Sequence, residues 1–188
     1  MSTSYGSANR RLHGMRIVTT DELSPEVLAA IKALLETTFD EPFVEDWNHA
    51  LGGVHFLVEE AGEPIAHTSV VERTLESNGR VLRTGYVEAV ATRPDRQRAG
   101  LGTAVIEAAT AHIRETFELG ALGTGEFAFY ERFGWERWRG PTGVRTENGL
   151  IRTLDEDGFV MILRTQASPA DLDVDSLLTC DWRSGDVW

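Results

Sequence analysis

The sequence holds one cysteine, Cys180, which excludes an intrachain disulfide and any metal site built from several thiolates. Its expected role is that of a small buried apolar residue. Long hydrophobic runs are missing as well: apolar segments are short and broken by charges, so neither a membrane span nor a membrane partner is expected. The opening stretch, MSTSYGSANRRLHG, has no apolar run behind its basic pair, which reads against a secretion signal and for a cytoplasmic location. Residues 1–14 are expected to form a flexible extension. The five histidines (His13, His49, His55, His67 and His112) lack metal-ligand spacing, and none pairs visibly with a serine and an aspartate as a triad. Core or surface roles follow for them, and no metal is expected. Cations are scarce against anions, 18 Lys plus Arg to 30 Asp plus Glu, for a formal net charge of -12. Such a surface repels nucleic acid and anionic lipid, so no nucleic-acid partner is expected. The acids gather at Asp40, Glu41, Glu45 and Asp46, at Asp155, Glu156 and Asp157, and again between Asp171 and Asp186. They form either a solubilising skin or a docking surface for a polycation.

What is present is enough for one domain: 188 residues, 41% hydrophobic, with no internal repeat. Met15 to Thr20 reads as an opening strand. Ser24 followed by Pro25 supplies an N-cap and a first helical position, and Val27, Leu28, Ile31, Leu34 and Leu35 recur at helical spacing behind them. A shorter helix is expected over Phe43 to Leu51, ended by Gly52 and Gly53. Three β-rich runs follow, VHFLVEE, PIAHTSVVERTLE and VLRTGYVEAVATR, joined by AGE and by the hairpin signal SNGR. They predict an antiparallel meander. The next helix steps its apolar face by four through Leu101, Val105, Ala109, Ile113 and Phe117, as a helix lying on that sheet must. A short strand (Leu119 to Thr124), a short helix (Phe127 to Phe133) and a late strand (Phe159 to Thr165) complete the pattern. The fold class is α/β (α+β), a central mostly antiparallel mixed sheet flanked by helices over residues 15–188.

The turn RPDRQRAGLG feeds the long helix with Gly100 and Gly102 in its first positions, leaving backbone N–H groups open to an anion. Arg93, Arg96 and Arg98 surround it in an otherwise acidic chain. Neither a phosphate loop closed by lysine and Ser or Thr nor a G-x-G-x-x-G is present. What remains is Q-x-x-G-x-G, read as Gln97, Gly100 and Gly102, which taken alone is better read as a plain glycine-containing helix start.

Preceded by the strand GYVEAVAT, that turn resembles the acetyl-CoA site of the GNAT superfamily of N-acetyltransferases. The resemblance implies that the backbone of Val90, Ala91 and Thr92 bonds the pantetheine and acetyl groups, and that Gln97, Arg98, Ala99, Gly100, Leu101 and Gly102 wrap the pyrophosphate. The segments DWNHALGGVH, GYVEAVA, LGAL, FGW with GPT, and CDWRSGDVW together are similar to the aminoglycoside 2′-N-acetyltransferases, a bacterial resistance family. Acetyl-CoA as cosubstrate, 2′-amino aminoglycosides as acceptors and a homodimer are what that likeness implies. Acetyl transfer needs a polarised thioester carbonyl, a neutral amine, a proton acceptor and a donor to the thiolate. A backbone N–H near Val90 suits the first. Strand alternation sets Glu88 and Val90 on one face, which makes Glu88 the choice to hold the amine and draw its proton through water. Tyr130 matches the superfamily position whose phenol protonates the CoA sulfur. The resemblance carries substrate contacts onto Glu88, Ala89, Asp46, Asp155, Glu156, Asp186 and the terminal carboxylate of Trp188, whose segment, 166–188, is expected to fold back to the cleft with the indole against a sugar face. Relatives carry serines after LGAL where Gly123, Thr124 and Gly125 stand here, so Thr124 is expected to supply a hydroxyl. Pro42 stands near where relatives carry an acid, and Glu41 is expected to take that role. Acetylation of another small polyamine or a protein terminus, and a non-catalytic acyl-CoA sensor, are the competing functions.

Overall fold

The structure is a computed structural model that describes residues 14–39 and 45–188. Strand β1 (Met15–Thr19) leads into helix α1 (Pro25–Phe39), whose first turn is capped by the Ser24 hydroxyl oxygen, 3.4 Å from the Val27 N–H. The second helix, α2, is shorter than expected, Glu45–His49. The meander follows as β2 (Val54–Glu60), β3 (Glu63–Ser77) and β4 (Arg80–Thr92). Its two turns place Ala61 with Gly62 and Asn78 with Gly79 at positive φ, the pair of left-handed residues that a two-residue hairpin compatible with strand twist requires. Helix α3 (Leu101–Thr116) buries Val105, Ile106, Ala109, Thr110 and Ile113 along the expected stripe. Then come β5 (Leu119–Gly123), α4 (Phe127–Glu131), β6 (Glu136–Arg137), β7 (Thr142–Thr146), β8 (Gly149–Arg152), β9 (Val160–Arg164) and β10 (Leu178–Asp181).

Ten strands form one sheet among the described residues, in the order β6-β9-β5-β4-β3-β10-β7-β8, with β2 and then β1 attached to the first half of β3. Only β4 with β5 and β10 with β7 run parallel. β3 is the spine: its second half pairs with β10, so the chain's last strand sits inside the sheet. α3 covers one face with Val70, Val87 and Leu122 beneath it, α1 packs with Trp47, Leu57 and Ala91, and a third core holds Tyr86, Trp138, Leu178 and Trp188.

Two irregularities shape the site. β4 and β5 pair only over Thr84–Tyr86 and Leu119–Ala121, and beyond Tyr86 they part. In the same stretch β4 bulges: His67 of β3 faces Ala91 and Ser69 faces Glu88, leaving Ala89 and Val90 against one residue, with Ala89 at φ 53. The bulge corrects the expected alternation. Val87 and Val90 both pack toward the α3 core, while Glu88 lies on the other face with Arg183, whose guanidinium stacks on Tyr86.

Candidate functional site

A cleft of about 1300 Å³ opens where β4 and β5 separate. From β4 it takes Glu88, Ala89, Val90, Ala91 and Thr92, and from the turn and start of α3 it takes Gln97, Arg98, Gly100, Leu101 and Gly102. Ala99, in the same turn, is exposed and does not line it. Among the described residues, four non-glycines have a left-handed φ: two turn the hairpins, and the other two, Ala89 and Arg98 (φ 63), line this cleft. Backbone held in a sparsely populated region at a cleft wall is what a binding site for a main-chain-recognised ligand needs. Gly100 caps α3 at φ 81 and ψ 2, and a Cβ there would meet nothing within 4 Å, so conformation rather than space selects glycine.

The three arginines of the turn do not act alike. Arg93 binds Asp95 at 2.6 Å and Glu60 at 3.2 Å, and Arg96 binds Glu60 at 2.6 Å, which holds the Glu60 carboxyl below the usual carboxylate range. Glu60 ends β2, a strand that the local motif cannot see. Only Arg98 of the three faces the cleft, and Arg132, stacked between Phe129 and Phe133, joins it there. Arg132 went unnoticed in the sequence because nothing local marks a cation one residue beyond a short helix.

Tyr130 of α4 is 7% exposed, and burial, with Glu126 second, pushes its phenol up to about 12. Across the cleft, Glu88 Oε1 takes a hydrogen bond from Arg183 Nη1 at 2.5 Å, with the two side chains 11% and 15% exposed. Arg183 also donates to the main-chain oxygens of Asp186 at 2.7 Å and Trp188 at 3.2 Å. From the other side Arg73 donates to the main-chain oxygens of Val187 and Asp181. Both guanidiniums lie over the Tyr86 ring, at 4.9 Å and 5.5 Å, so the segment is clamped onto the sheet. Trp188 is 4% exposed, and its indole N–H donates to Thr153 Oγ1 at 2.9 Å. It packs in the third core, and the residue also lines the cleft. Cys180 is buried with its thiol pushed up to about 11, as an inert apolar residue should be.

Like Arg132, Tyr86 and Arg183 are cleft residues that sequence reading missed. The phenol of Tyr86 is buried with no hydrogen-bond partner among the described residues, and burial raises its pKa well above the ordinary value. The residue forms part of the cleft wall beneath the surface. A Cβ on Gly123 would stand 3.6 Å from that oxygen and 3.7 Å from the Trp188 carboxylate carbon, ordinary contact distances that an alanine would satisfy. Thr124 lines the cleft too, its hydroxyl oxygen accepting the Glu126 N–H at 2.9 Å and leaving its own hydrogen to donate. Asp186 lines the mouth. Asp155 and Glu156 lie outside the lining, in a short turn after β8, but Glu156 feels Asp186: burial first, then Asp186 and Asp155, raise its pKa. Crowded carboxylates of this kind gain when a cation arrives. Glu41 lies outside the described residues, as does the side chain of Asp46. No group of three metal-ligating side chains occurs among the described residues.

The cleft can thus accept an anion at the α3 end and a cation at the Asp186 end, with the β4 bulge between them. A family model described as an acetyltransferase (GNAT) domain matches residues 18–138. The aminoglycoside 2′-N-acetyltransferase of Mycolicibacterium fortuitum is 40% identical over 182 residues, covering 94% of this chain and 93% of that protein. Among solved structures, a GNAT family N-acetyltransferase from Escherichia coli in complex with CoA superposes with a TM-score of 0.63 at 16% identity, over 88% of each chain. A GNAT family acetyltransferase from Brucella melitensis in complex with acetyl-CoA gives 0.58 at 19% identity, over 86% of this chain and 95% of that one.

Proposed function

The chain belongs to the aminoglycoside 2′-N-acetyltransferase family within the GNAT acetyltransferases, and from that premise we propose that its cleft transfers the acetyl group of acetyl-CoA to the 2′-amine of aminoglycosides. The observation that carries the reading is the polarity of the cleft. Open backbone amides, Arg98 and Arg132 stand at one end and carboxylates at the other, and the bulge at Ala89, with its left-handed φ, lies between the two.

The roles follow from position. The turn from Gln97 to Gly102 holds the pyrophosphate, helped by the α3 dipole. The backbone of Val90 to Thr92 aligns the pantetheine arm, and the Val90 N–H polarises the thioester carbonyl. Asp186 and Glu156 draw the polycation in, while Thr124 donates to its hydroxyls. The 2′-ammonium takes the place that Arg183 holds beside Glu88 and loses a proton through water to that carboxylate. The amine nitrogen then bonds to the carbonyl carbon as the carbon–sulfur bond breaks, in one ternary complex, and the second proton of that nitrogen passes to solvent as the neutral amide forms.

For the leaving sulfur, residue type alone suggests full protonation by Tyr130, but its burial changes the balance. A phenol at about 12 facing a thiol near 8.5 leaves full transfer uphill by ~5 kcal/mol. Tyr130 therefore acts as a hydrogen-bond donor to the developing thiolate, which takes its proton from solvent on release. Acetylation removes one charge from the drug, and antibiotic resistance is the consequence we attach to it. The homodimer and the cytoplasmic location expected from the sequence belong to the same proposal.

Thiol release from acetyl-CoA in the presence of kanamycin B, which has a 2′-amine, and kanamycin A, which has a hydroxyl there, tests the reading. Release with the first alone is expected. Release with both would relocate the reaction to another amine, and release with neither would point to a different acceptor or to a sensor.

A further inference from the structure

Two histidines that no step above uses stand directly behind the bulge. His55 on β2 and His67 on β3 are both 0% exposed, and His55 Nδ1 lies 2.9 Å from His67 Nε2. His67 Nδ1 lies 2.8 Å from the Ala89 carbonyl oxygen. At the other end, His55 Nε2 lies 2.8 Å from Thr20 Oγ1, which accepts the Gly52 N–H at 2.9 Å.

The proton positions follow from the Ala89 end. A carbonyl oxygen only accepts, so His67 Nδ1 carries a hydrogen. Burial with no carboxylate to offset it lowers His67 to about 3 and His55 to about 4, so both rings are neutral at ordinary pH. A neutral ring protonated at Nδ1 accepts at Nε2, so His55 donates from its own Nδ1 and receives the Thr20 hydroxyl hydrogen. The row is therefore unidirectional, from Gly52 N–H through Thr20, His55 and His67 to the Ala89 oxygen. Apolar side chains would fill this space without the desolvation of two imidazoles, so the row needs a reason beyond packing.

That reason lies in the peptide group it ends on. In a trans peptide the carbonyl and the following N–H point in opposite directions, so an Ala89 oxygen held toward β3 turns the Val90 N–H away from β3, into the gap between β4 and β5. We propose that the Thr20–His55–His67 row is a positioning device for acyl transfer, locking the Ala89–Val90 peptide so that the Val90 N–H meets the acetyl carbonyl. The inference rests on the acetyl-transfer reading above.

The test compares His67→Asn, whose amide N–H stands near the place of Nδ1, with His67→Gln, whose amide reaches toward Nε2 and leaves Ala89 without this donor. With a 2′-amino aminoglycoside, kcat is expected to fall about ten-fold or more in His67→Gln while the acetyl-CoA Kd stays within about three-fold, and to recover most of the wild-type value in His67→Asn. Equal loss in both, or full kcat in both, would overturn the role. Nitrogen-15 spectra of the wild-type protein supply a second arm: both rings are expected as Nδ1–H tautomers, and the Val90 amide is expected to shift on binding acetyl-CoA relative to CoA. An Nε2–H tautomer at His67 or an unmoved Val90 amide would sink the proposal. These spectra need neither a folded variant nor the right acceptor, so a chain that acetylates no aminoglycoside would defeat the proposed function and still leave this inference decided.

Discussion

At the scale of single residues, burial decides roles that residue type leaves open. Tyr130 was legible in the motif FAFYERFGW, but its pKa of about 12 comes from packing against Phe129 and Trp135, which no local pattern reports. Arg93 and Arg96 surround the turn in the sequence, but their guanidiniums pair with Glu60, 33 and 36 residues away. Arg183 was hidden for the opposite reason. Its partner Glu88 is 95 residues away, and removing either half of a pair this buried leaves an uncompensated charge worth roughly 3 to 5 kcal/mol. If Tyr130 donates a hydrogen bond without ionising, Tyr130→Phe should lower kcat about a hundred-fold with little change in the CoA Kd. The wild-type pH–rate profile should then show no Tyr130 ionisation below about pH 11, because a group with its pKa raised to about 12 keeps its proton through that range. A basic limb near pH 9 that vanishes in the Phe variant would contradict this.

At the scale of elements, the helices α1 and α3 and the meander β2–β4 were readable because each carries a sustained period and marked ends: Ser24 with Pro25, Gly100, and two hairpin turns. The strands β6, β7, β8 and β10 were not anticipated. They have two to five residues each, β8 is exposed at every position, and β10 owes its place to pairing with β3 and β7. The bulge was also unreadable, since Ala89 has none of the glycine or asparagine character that announces a left-handed residue. Gly100 is the readable counterpart, and it separates the two ends of the cleft experimentally. Alanine at φ 81 costs about 1 to 2 kcal/mol with no clash to add, equivalent to a fall in Tm of a few degrees in a chain this long. Gly100→Ala is expected to raise the acetyl-CoA KM several-fold and to leave the aminoglycoside KM within about two-fold. A lower Tm with both KM values unchanged would remove the α3 turn from the cosubstrate site.

At the scale of the whole molecule, the net charge of -12 acts on two ligands of opposite sign. A polycationic aminoglycoside is attracted by the field of the entire surface and by the Asp186 and Glu156 rim, whereas a polyanionic acetyl-CoA must cross that field to reach Arg98 and Arg132. Ionic strength weakens long-range terms first, the screening length falling from about 8 Å at 0.15 M to about 3 Å at 1 M. For the aminoglycoside both the distant and the local terms are attractive, so its KM should climb with salt, on the order of ten-fold from low to high ionic strength. For acetyl-CoA, salt relieves the distant repulsion while weakening the local attraction, and these oppose each other. Its KM should therefore change little. Steady-state kinetics over a salt series with each ligand varied in turn would distinguish this from a surface whose acids serve only solubility, since in that case the aminoglycoside KM would not climb away from that of acetyl-CoA.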